Sequence, residues 1–301
     1  MAHFLYVSYV SEDLERSVDA LATLGLVEVW RGSHAYFGAD AVLCAAQQGG
    51  VLAVAGPLPR LSPVLAGSRQ RRDSMLHIAV CDLPGDWREG LPVSVGVETY
   101  AGPLGPSTML AFDVGDEGGQ VLIEIVSGQA HVGSANARSL RVENTPYVGS
   151  SLAELRAIFA AIGLTPIPNL DAVVFPTLQC RTEAIILDGW HFIELNAPTG
   201  DGPMHDVLTS LGKPGLFGLN LEPEEFHESE TPVDLPVVVN GHSMVSHRIV
   251  FVPPRFTGGA LIFKVRPVSF PWQFLCGVTG EHESHDSTAA LRPDGPELRP
   301  R

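Results

Sequence analysis

The sequence YVSEDLERSVDALATLGL at residues 9–26 aligns without gaps with YVGSSLAELRAIFAAIGL at residues 147–164. In each copy a strand-like start leads into apolar residues at helical spacing, and a glycine follows them, Gly25 or Gly163. A glycine at the end of a helix commonly adopts the left-handed conformation that stops the helix. The two segments therefore predict the same unit of a strand and a helix twice in one chain, which indicates an internal repeat.

A second repeat interleaves with the first. LHIAV at 76–80 and GGQVLIEIV at 118–126 correspond to LFGLN at 216–220 and GGALIFKV at 258–265, and one offset relates both pairs, since 217 − 77 = 264 − 124. The chain thus divides into four modules, roughly residues 3–50, 75–127, 141–198 and 214–268. We expect a βαβββ arrangement in each module, with stunted helices around residues 82–90 and 222–230 in modules 2 and 4.

This fourfold organisation and the phrases LHIAV, GGQVLIEIV, WHFIELNAP and PPRFTGGALIFKV resemble the vicinal oxygen chelate superfamily, which includes glyoxalase I, methylmalonyl-CoA epimerase, the extradiol dioxygenases and the bleomycin-resistance proteins. The resemblance implies an α+β fold in which four βαβββ modules form two glyoxalase-like domains. We expect these domains at residues 1–130 and 138–275, followed by a disordered tail at 281–301, which is poor in apolar residues. One fold hosts many activities, so the resemblance specifies function less closely than fold.

The resemblance also implies where a metal would bind, because family members place ligands on the first and last strands of two paired modules. Module 2 offers His77 and Glu124 at these positions, and module 3 offers Glu143 and Glu194. Apolar or cationic residues take the matching positions in modules 1 and 4: Leu5 or Tyr6, Cys44 or Ala45, Phe217 and Lys264. We therefore expect module 2 to pair with module 3 and module 1 with module 4, so that the four ligands converge in one cavity. Pairing of 1 with 2 and 3 with 4, or a homodimer in which separate chains supply the modules, are the other arrangements.

One imidazole and three carboxylates would suit a hard or borderline divalent ion such as Mn, Mg, Fe, Co, Ni or Zn. The resemblance implies that this ion holds two adjacent substrate oxygens while a proton leaves the neighbouring carbon. Glu143 or Glu194 would act as the catalytic base. The leading hypothesis is a metal-dependent isomerase, epimerase or lyase of the glyoxalase type that acts on a small oxygenated substrate.

Two alternatives stay open: an extradiol-type ring-cleaving dioxygenase and a metal-free small-molecule binding or resistance protein. A dioxygenase needs two histidines and one carboxylate, and Glu143 in place of a histidine argues against it. His191 is expected to face away from Glu194, because residues three apart on a strand point to opposite faces. A one-residue slip would turn Asn144 inward instead of Glu143. His77 could also be a core histidine bonded to nearby backbone, and the carboxylates could be solvent-facing strand ends.

Composition and charge narrow the class of partner. The 301 residues contain 19 Lys and Arg against 34 Asp and Glu, a net charge of −15, which argues against nucleic acid and anionic membrane as partners. The four cysteines show no paired spacing, and no apolar stretch is long enough to span a membrane. We expect a cytoplasmic protein with a small-molecule substrate.

Overall fold

The structure is a computed structural model. It describes residues 2–58, 75–114, 119–128, 130–137, 140–167, 173–188, 191–239, 241–257 and 259–268. The predicted tail at 281–301 lies outside the described residues.

The first repeat forms the predicted unit of a strand and a helix in both copies. Strand β1 (His3–Ser11) leads into helix α1 (Leu14–Thr23), and β9 (Leu140–Val148) leads into α2 (Leu152–Ala160). Asp13 and Ser151 occupy the same place in the repeat, and each side chain caps its helix by accepting a hydrogen bond from the backbone N–H three residues later. Gly25 and Gly163 follow the helices with φ of 102° and 77°, as the sequence predicts.

Modules 1 and 2 form one eight-stranded sheet, in the order β2-β3-β4-β1-β5-β8-β7-β6. Its other strands are β2 (Val27–His34), β3 (Ala39–Ala45), β4 (Gly50–Ala55), β5 (Met75–Cys81), β6 (Gly96–Gly102), β7 (Gly105–Val114) and β8 (Gly119–Val126). The two modules join where β1 runs antiparallel to β5. Among the described strands β2 pairs only with β3 and β6 only with β7, so this sheet is curled but open. We call this half of the molecule the first domain.

Modules 3 and 4 form a second sheet, in the order β12-β11-β10-β15-β16-β17-β14-β9-β13. Its strands after β9 are β10 (Val173–Phe175), β11 (Cys180–Ile186), β12 (Phe192–Pro198), β13 (Gly215–Leu216), β14 (Leu219–Pro223), β15 (Val233–Val239), β16 (His242–Val252) and β17 (Ile262–Pro267). Strand β12 also pairs with β9, and Val174 on β10 pairs with Val238 on β15. These two contacts close the sheet into a barrel, which we call the second domain.

The expected pairing of module 2 with module 3 is therefore wrong. Each module pairs with its neighbour in the sequence, 1 with 2 and 3 with 4, as consecutive elements usually do. Between modules 1 and 3 there is an isolated bridge, Gln48 to Arg141. The prediction assumed that the four polar side chains at the ligand positions share one site. They do not, so these positions could not indicate which modules pair.

The helices differ from the prediction in modules 2 and 4. Residues 82–90 and 224–230 form turns and bends instead of helices, and residues 222–223 belong to β14. Gly85 has a φ of 66°, which lies outside the helical region. Two helices were not predicted, α3 (Pro203–Leu211) and the short α4 (Pro254–Thr257). Met204 and Leu211 of α3 belong to an apolar cluster with side chains from β10, β11 and β15.

Three apolar clusters follow the alternation of side chains along the strands. The largest lies between the two sheets and includes Val7, Phe159 and Ile193, together with the apolar faces of α1 and α2. Two smaller clusters lie inside the curl of the first sheet and inside the barrel. The apolar layer between the two sheets thus separates the inside of the first sheet from the inside of the barrel. Each domain therefore has its own interior.

Within the part of the chain that the structure describes, no helix is long and apolar enough to cross a membrane.

Candidate functional sites

The four predicted ligand residues fall into two groups. His77 on β5 and Glu124 on β8 face the interior of the first domain, whereas Glu143 on β9 and Glu194 on β12 belong to the second domain. The expectation that all four converge in one cavity is therefore wrong.

In the first domain His77 and Glu124 are in direct contact. Strands β5 and β8 run parallel, and Ala79 lies opposite Glu124. His77 is two residues before Ala79, so the side chains of His77 and Glu124 project from the same face of the sheet. Nε2 of His77 lies 2.9 Å from Oε2 of Glu124, and the Ser8 hydroxyl contacts Nδ1 of His77. The Tyr6 hydroxyl donates to the same Glu124 oxygen.

A third ligand-type residue, His34, lies beside this pair at the end of β2. Its Nε2 is 4.0 Å from Oε2 of Glu124, and its side chain is fully buried. His34, His77 and Glu124 each offer one ligand atom, and these atoms lie within 4.8 Å of one another. We call these three residues the first-domain triad. The sequence carries no signal for His34, because it lies on a second strand, where the family resemblance places no ligand.

The environment favours neutral imidazole in His34 and ionised carboxylate in Glu124. Burial, and then the neighbouring His77, lower the pKa of His34 to about 4, against a smaller opposing effect of Glu124. Burial alone would raise the pKa of Glu124, but the hydrogen bond and charge of His77 and the hydrogen bond from Tyr6 outweigh it and lower the pKa to about 2. These are the protonation states in which both residues bind metals.

Aromatic rings cover the first-domain triad. Phe37, in the turn after β2, is buried with its ring centroid 4.6 Å from that of His34. Tyr100 from β6, at the opposite end of the sheet, lies 5.3 Å from His34 and 5.6 Å from Tyr36. These rings therefore span the two edges of the sheet that do not pair with each other.

The residues of the first-domain triad fit a metal ion. Both ring nitrogens of His34 and Oε1 of Glu124 are buried without a hydrogen-bond partner, which is uncommon for buried polar atoms. A Cβ placed on Gly102 would lie 2.8 Å from that same Oε1, so the glycine leaves space beside it. Two imidazoles and one carboxylate suit Zn²⁺ or another borderline first-row ion.

The second domain contains a cavity of about 300 Å³ inside the barrel, which we call the second-domain cavity. Its wall is mainly apolar, with Phe192 and Phe217 from the barrel and Met204 and Val207 from α3. The polar side chains in the wall are Asn144, Glu194, Asn220 and His247. A largely apolar cavity with a few polar groups is the usual form of a small-molecule site.

A bulge in β9 explains how Glu143 and Asn144 serve the same interior. The register between β9 and β14 shifts between the pairs Asn220–Asn144 and Leu221–Val142, so Glu143 is an extra residue on its strand. Asn144 lines the cavity, and Glu143 is buried with Oε1 2.9 Å from Nε2 of His247. Both interpretations of this stretch are thus partly right, because the bulge turns two consecutive residues inward.

His247 on β16 was not predicted from the sequence. Burial disfavours its charged form, but Glu143, Glu194 and Glu222 outweigh burial and raise the pKa of His247. The contact of His247 with Glu143 at the cavity wall is a buried ion pair when the imidazole is protonated. Nothing in the segment HSMVSHRIV points to this role, since the carboxylates that define it come from other strands.

Glu194 faces the cavity and is partly exposed within it. Burial raises the pKa of Glu194 to about 7; the charge of His247 opposes this shift and that of Glu143 adds to it. A carboxyl group with a pKa near neutrality exchanges protons readily at physiological pH, as a general acid or base must.

The remaining residues singled out in the sequence have structural surroundings. His191 faces the layer between the domains, where it stacks on Phe4 at 3.7 Å and contacts the Val142 carbonyl through Nδ1. It therefore faces away from Glu194, as predicted. Phe217 lines the cavity, whereas Lys264 donates to Glu230 at 2.6 Å. Cys44, Cys81 and Cys180 are buried free thiols.

Comparisons with known proteins show similarity in structure. No protein-family model and no curated protein sequence matches the chain. A triple mutant of 4-hydroxymandelate synthase from Streptomyces coelicolor superposes with a TM-score of 0.61 at 11% identity, over 89% of this chain and 93% of that one. A single-residue variant of homoprotocatechuate 2,3-dioxygenase from B. fuscum superposes with a TM-score of 0.50 at 11% identity, over 88% of this chain and 71% of that one.

These structures belong to the superfamily that the sequence resembles. At this level of identity the likeness concerns the fold. The chain has the two-domain, four-module fold of the vicinal oxygen chelate superfamily.

Proposed function

We propose that the second-domain cavity is the active site of an enzyme that moves a proton on a small, largely apolar substrate, as an isomerase, epimerase or lyase does. The observation that carries this proposal is Glu194, a carboxyl group with a pKa of about 7 that faces an apolar cavity of about 300 Å³. A perturbed carboxyl group in a cleft is a marker of acid-base chemistry. The fold supports an enzyme in general, and this cavity supports the particular class.

The cavity supplies the groups that such a reaction needs. Glu194 as carboxylate would take a proton from the carbon next to a substrate carbonyl, and the electron pair of the broken C–H bond would move onto the carbonyl oxygen. His247, when protonated, would stabilise this negative charge, and Asn144 and Asn220 can bind polar substituents. The carbonyl re-forms when the enolate regains the proton from Glu194 at the same carbon, which gives an epimer, or when it expels a leaving group from the next carbon, which gives a lyase product. When the deprotonated carbon carries a hydroxyl group, the intermediate is an enediolate: the hydroxyl proton passes to the former carbonyl oxygen, and Glu194 returns its proton to the former carbonyl carbon, which gives the isomer.

We keep Glu143 and Glu194 in the proposed mechanism, with different roles. Glu194 acts as the base, and Glu143 holds His247 in position and favours its protonated form. His247 provides the positive charge that the sequence-based mechanism assigned to a metal. His77 and Glu124, which were predicted to be metal ligands, lie inside the first domain. They therefore take no part in the reaction proposed for the second-domain cavity.

Each alternative function has one supporting observation. The first-domain triad has the composition of two histidines and one carboxylate that iron-dependent oxygenases use, which favours a dioxygenase. Oxygen uptake on a catechol after loading with Fe(II) would support that activity. The apolar wall of the second-domain cavity favours a binding protein, and tight binding of an apolar probe without turnover would support that role.

The proposal can be tested by proton exchange with solvent. The full-length protein is incubated in D₂O with small apolar carbonyl probes, such as phenylacetone and phenylpyruvate, and deuterium at the carbon next to the carbonyl is followed by NMR. We expect exchange above the uncatalysed rate with at least one probe. Because general-base catalysis contributes about 10²–10⁴-fold, Glu194→Gln should lose most of this rate.

Glu183→Gln is the matched control. Glu183 lies on the neighbouring strand β11, but its side chain pairs with Arg156 at 2.8 Å outside the cavity. This variant should exchange at the wild-type rate. Equal rates in wild-type protein and Glu194→Gln, or no exchange with any probe, would contradict the proposal.

A further inference from the structure

We infer that His34, His77 and Glu124 form a binding site for a divalent first-row transition ion in the first domain, apart from the second-domain cavity, and that the bound ion fastens the open side of the first sheet. This site does not depend on the function proposed for the second domain. Its members come from strands β2, β5 and β8, which are far apart in the sequence.

His34 is the residue whose surroundings point most directly to a missing ligand. A fully buried imidazole normally hydrogen-bonds through at least one ring nitrogen, yet neither nitrogen of His34 has a partner in the described structure. Leaving such groups unsatisfied in a protein interior is unfavourable, because their hydration is lost without replacement. A metal ion bound by one nitrogen would compensate for this loss.

The other two residues are held in place by neighbouring side chains. Ser8 occupies Nδ1 of His77 and leaves Nε2 directed at Glu124, which is how supporting residues fix the orientation of a metal-binding histidine. Tyr6 in the same way fixes the Glu124 carboxylate through Oε2, while Oε1 stays without a partner. His77 and Glu124 thus have supporting side chains, whereas His34 has no partner. This is the arrangement expected of metal ligands when the ion is not bound.

The type of ion follows from the donors. Two imidazole nitrogens and one carboxylate oxygen favour Zn²⁺, Co²⁺, Ni²⁺ or Fe²⁺ over Ca²⁺ and Mg²⁺, which prefer all-oxygen surroundings. Three protein donors leave at least one coordination position for water or another small ligand. The described residues that could supply a thiolate, such as Cys81, are outside this group.

The consequence for the fold comes from the position of β2. It is the last strand on one side of the open sheet, and it pairs with β3 alone among the described strands. An ion shared by His34, His77 and Glu124 would connect this edge strand to the two central strands β5 and β8. It would therefore hold the curl of the sheet where backbone pairing does not.

The experiment uses the full chain, stripped with a chelator and reloaded with Co²⁺ or Zn²⁺. We expect about one ion per chain by elemental analysis, a visible ligand-field spectrum for the Co²⁺ form, and a rise in Tm of a few degrees, because ligands that bind the native state stabilise it. His34→Gln and Glu124→Gln should abolish binding of the ion and the rise in Tm. Glu124→Gln keeps the shape of the side chain, so its circular dichroism spectrum reports whether the fold is retained.

His205→Gln is the control for adventitious binding. His205 is an exposed histidine on α3 that lies 3.9 Å from Asp201, and its replacement should leave one ion per chain. Glu194→Gln should also leave it, which separates this inference from the proposed function. Less than a tenth of an ion per wild-type chain after reloading, or an unchanged stoichiometry in both folded triad variants, would overturn the inference.

Discussion

The two domains are built from related modules, yet their interiors differ. In the first domain side chains fill the inner face of the sheet, with Phe37, Tyr6 and the first-domain triad packed together. In the second domain the corresponding space is a cavity of about 300 Å³ with charged groups in its wall. One fold has thus produced a packed centre and a hollow one.

The way in which each sheet closes explains the difference. The second domain is a ring of eight strands in which β10 and β15 complete the backbone pairing, and a barrel of this size has room for one small ligand. The first sheet lacks such a pairing between β2 and β6, so its edges meet through His34, Tyr36 and Tyr100 instead. Backbone closure holds the walls apart, whereas closure by side chains fills the space between them.

The largest effect is expected from placing a charge on corresponding strands of the two domains. Val237 on β15 is fully buried inside the closed barrel, so Val237→Lys should lower the free energy of unfolding by about 5 kcal/mol or prevent folding. Val97 on β6 is 55% exposed at the sheet edge, and Val97→Lys should change the free energy of unfolding by less than about 0.5 kcal/mol. Urea denaturation of both variants measures the difference. Equal costs would mean that the first sheet is closed as well.

A smaller effect is expected from removing an aromatic ring in each interior. Phe37→Ala should lower the free energy of unfolding by about 3–5 kcal/mol, because it leaves a new void over His34 and His77. Phe263→Ala should cost about 1–2 kcal/mol, since this half-buried ring already borders the second-domain cavity. Thermal and urea unfolding provide the measurement. A larger loss for Phe263→Ala would contradict the contrast between a packed and a hollow centre.

A third effect is a dependence of stability on pH that comes from Glu194. Its pKa is raised from 4.5 to about 7 on folding, so the folded chain binds this proton more tightly than the unfolded chain. Its contribution to stability therefore falls as pH rises from 4.5 to 7 and is constant above 7. The stability of Glu194→Gln relative to wild type should increase across this window in urea titrations at several pH values.

Asn220→Ala is the control for that measurement, because it alters the same cavity wall without removing a titrating group. Its stability relative to wild type should be offset by a similar amount at each pH. If the stability difference between Glu194→Gln and wild type is also the same at each pH, the pKa of Glu194 is not raised by folding.

Much of the fold could be predicted because its signals are local. The spacing of Leu14, Val18 and Leu21 and the glycine at 25 specify α1 without reference to the rest of the chain. The two predicted helices in modules 2 and 4 were wrong for a local reason as well: Gly85 has a positive φ of 66°, and residues 224–230 contain a single apolar side chain, Phe226.

The sites were predicted less well because their partners come from distant strands. The family resemblance singled out His77 and Glu124, but His34 and His247 carry no pattern in their own segments. Glu143 could not be placed with certainty, since a bulge that depends on the register with β14 decides which residues face inward.

The sequence by itself determined that the chain consists of four related modules, because the apolar spacing that forms each module repeats along the chain. That these modules make two glyoxalase-like domains was implied by the family resemblance. Only the tertiary structure decided which modules share a sheet, and hence that His77 and Glu124 belong to one interior and Glu143 and Glu194 to another. The physical reason is that strand pairing and closure depend on backbone hydrogen bonds between distant segments. The side chains that a module presents do not show with which other module those bonds will form.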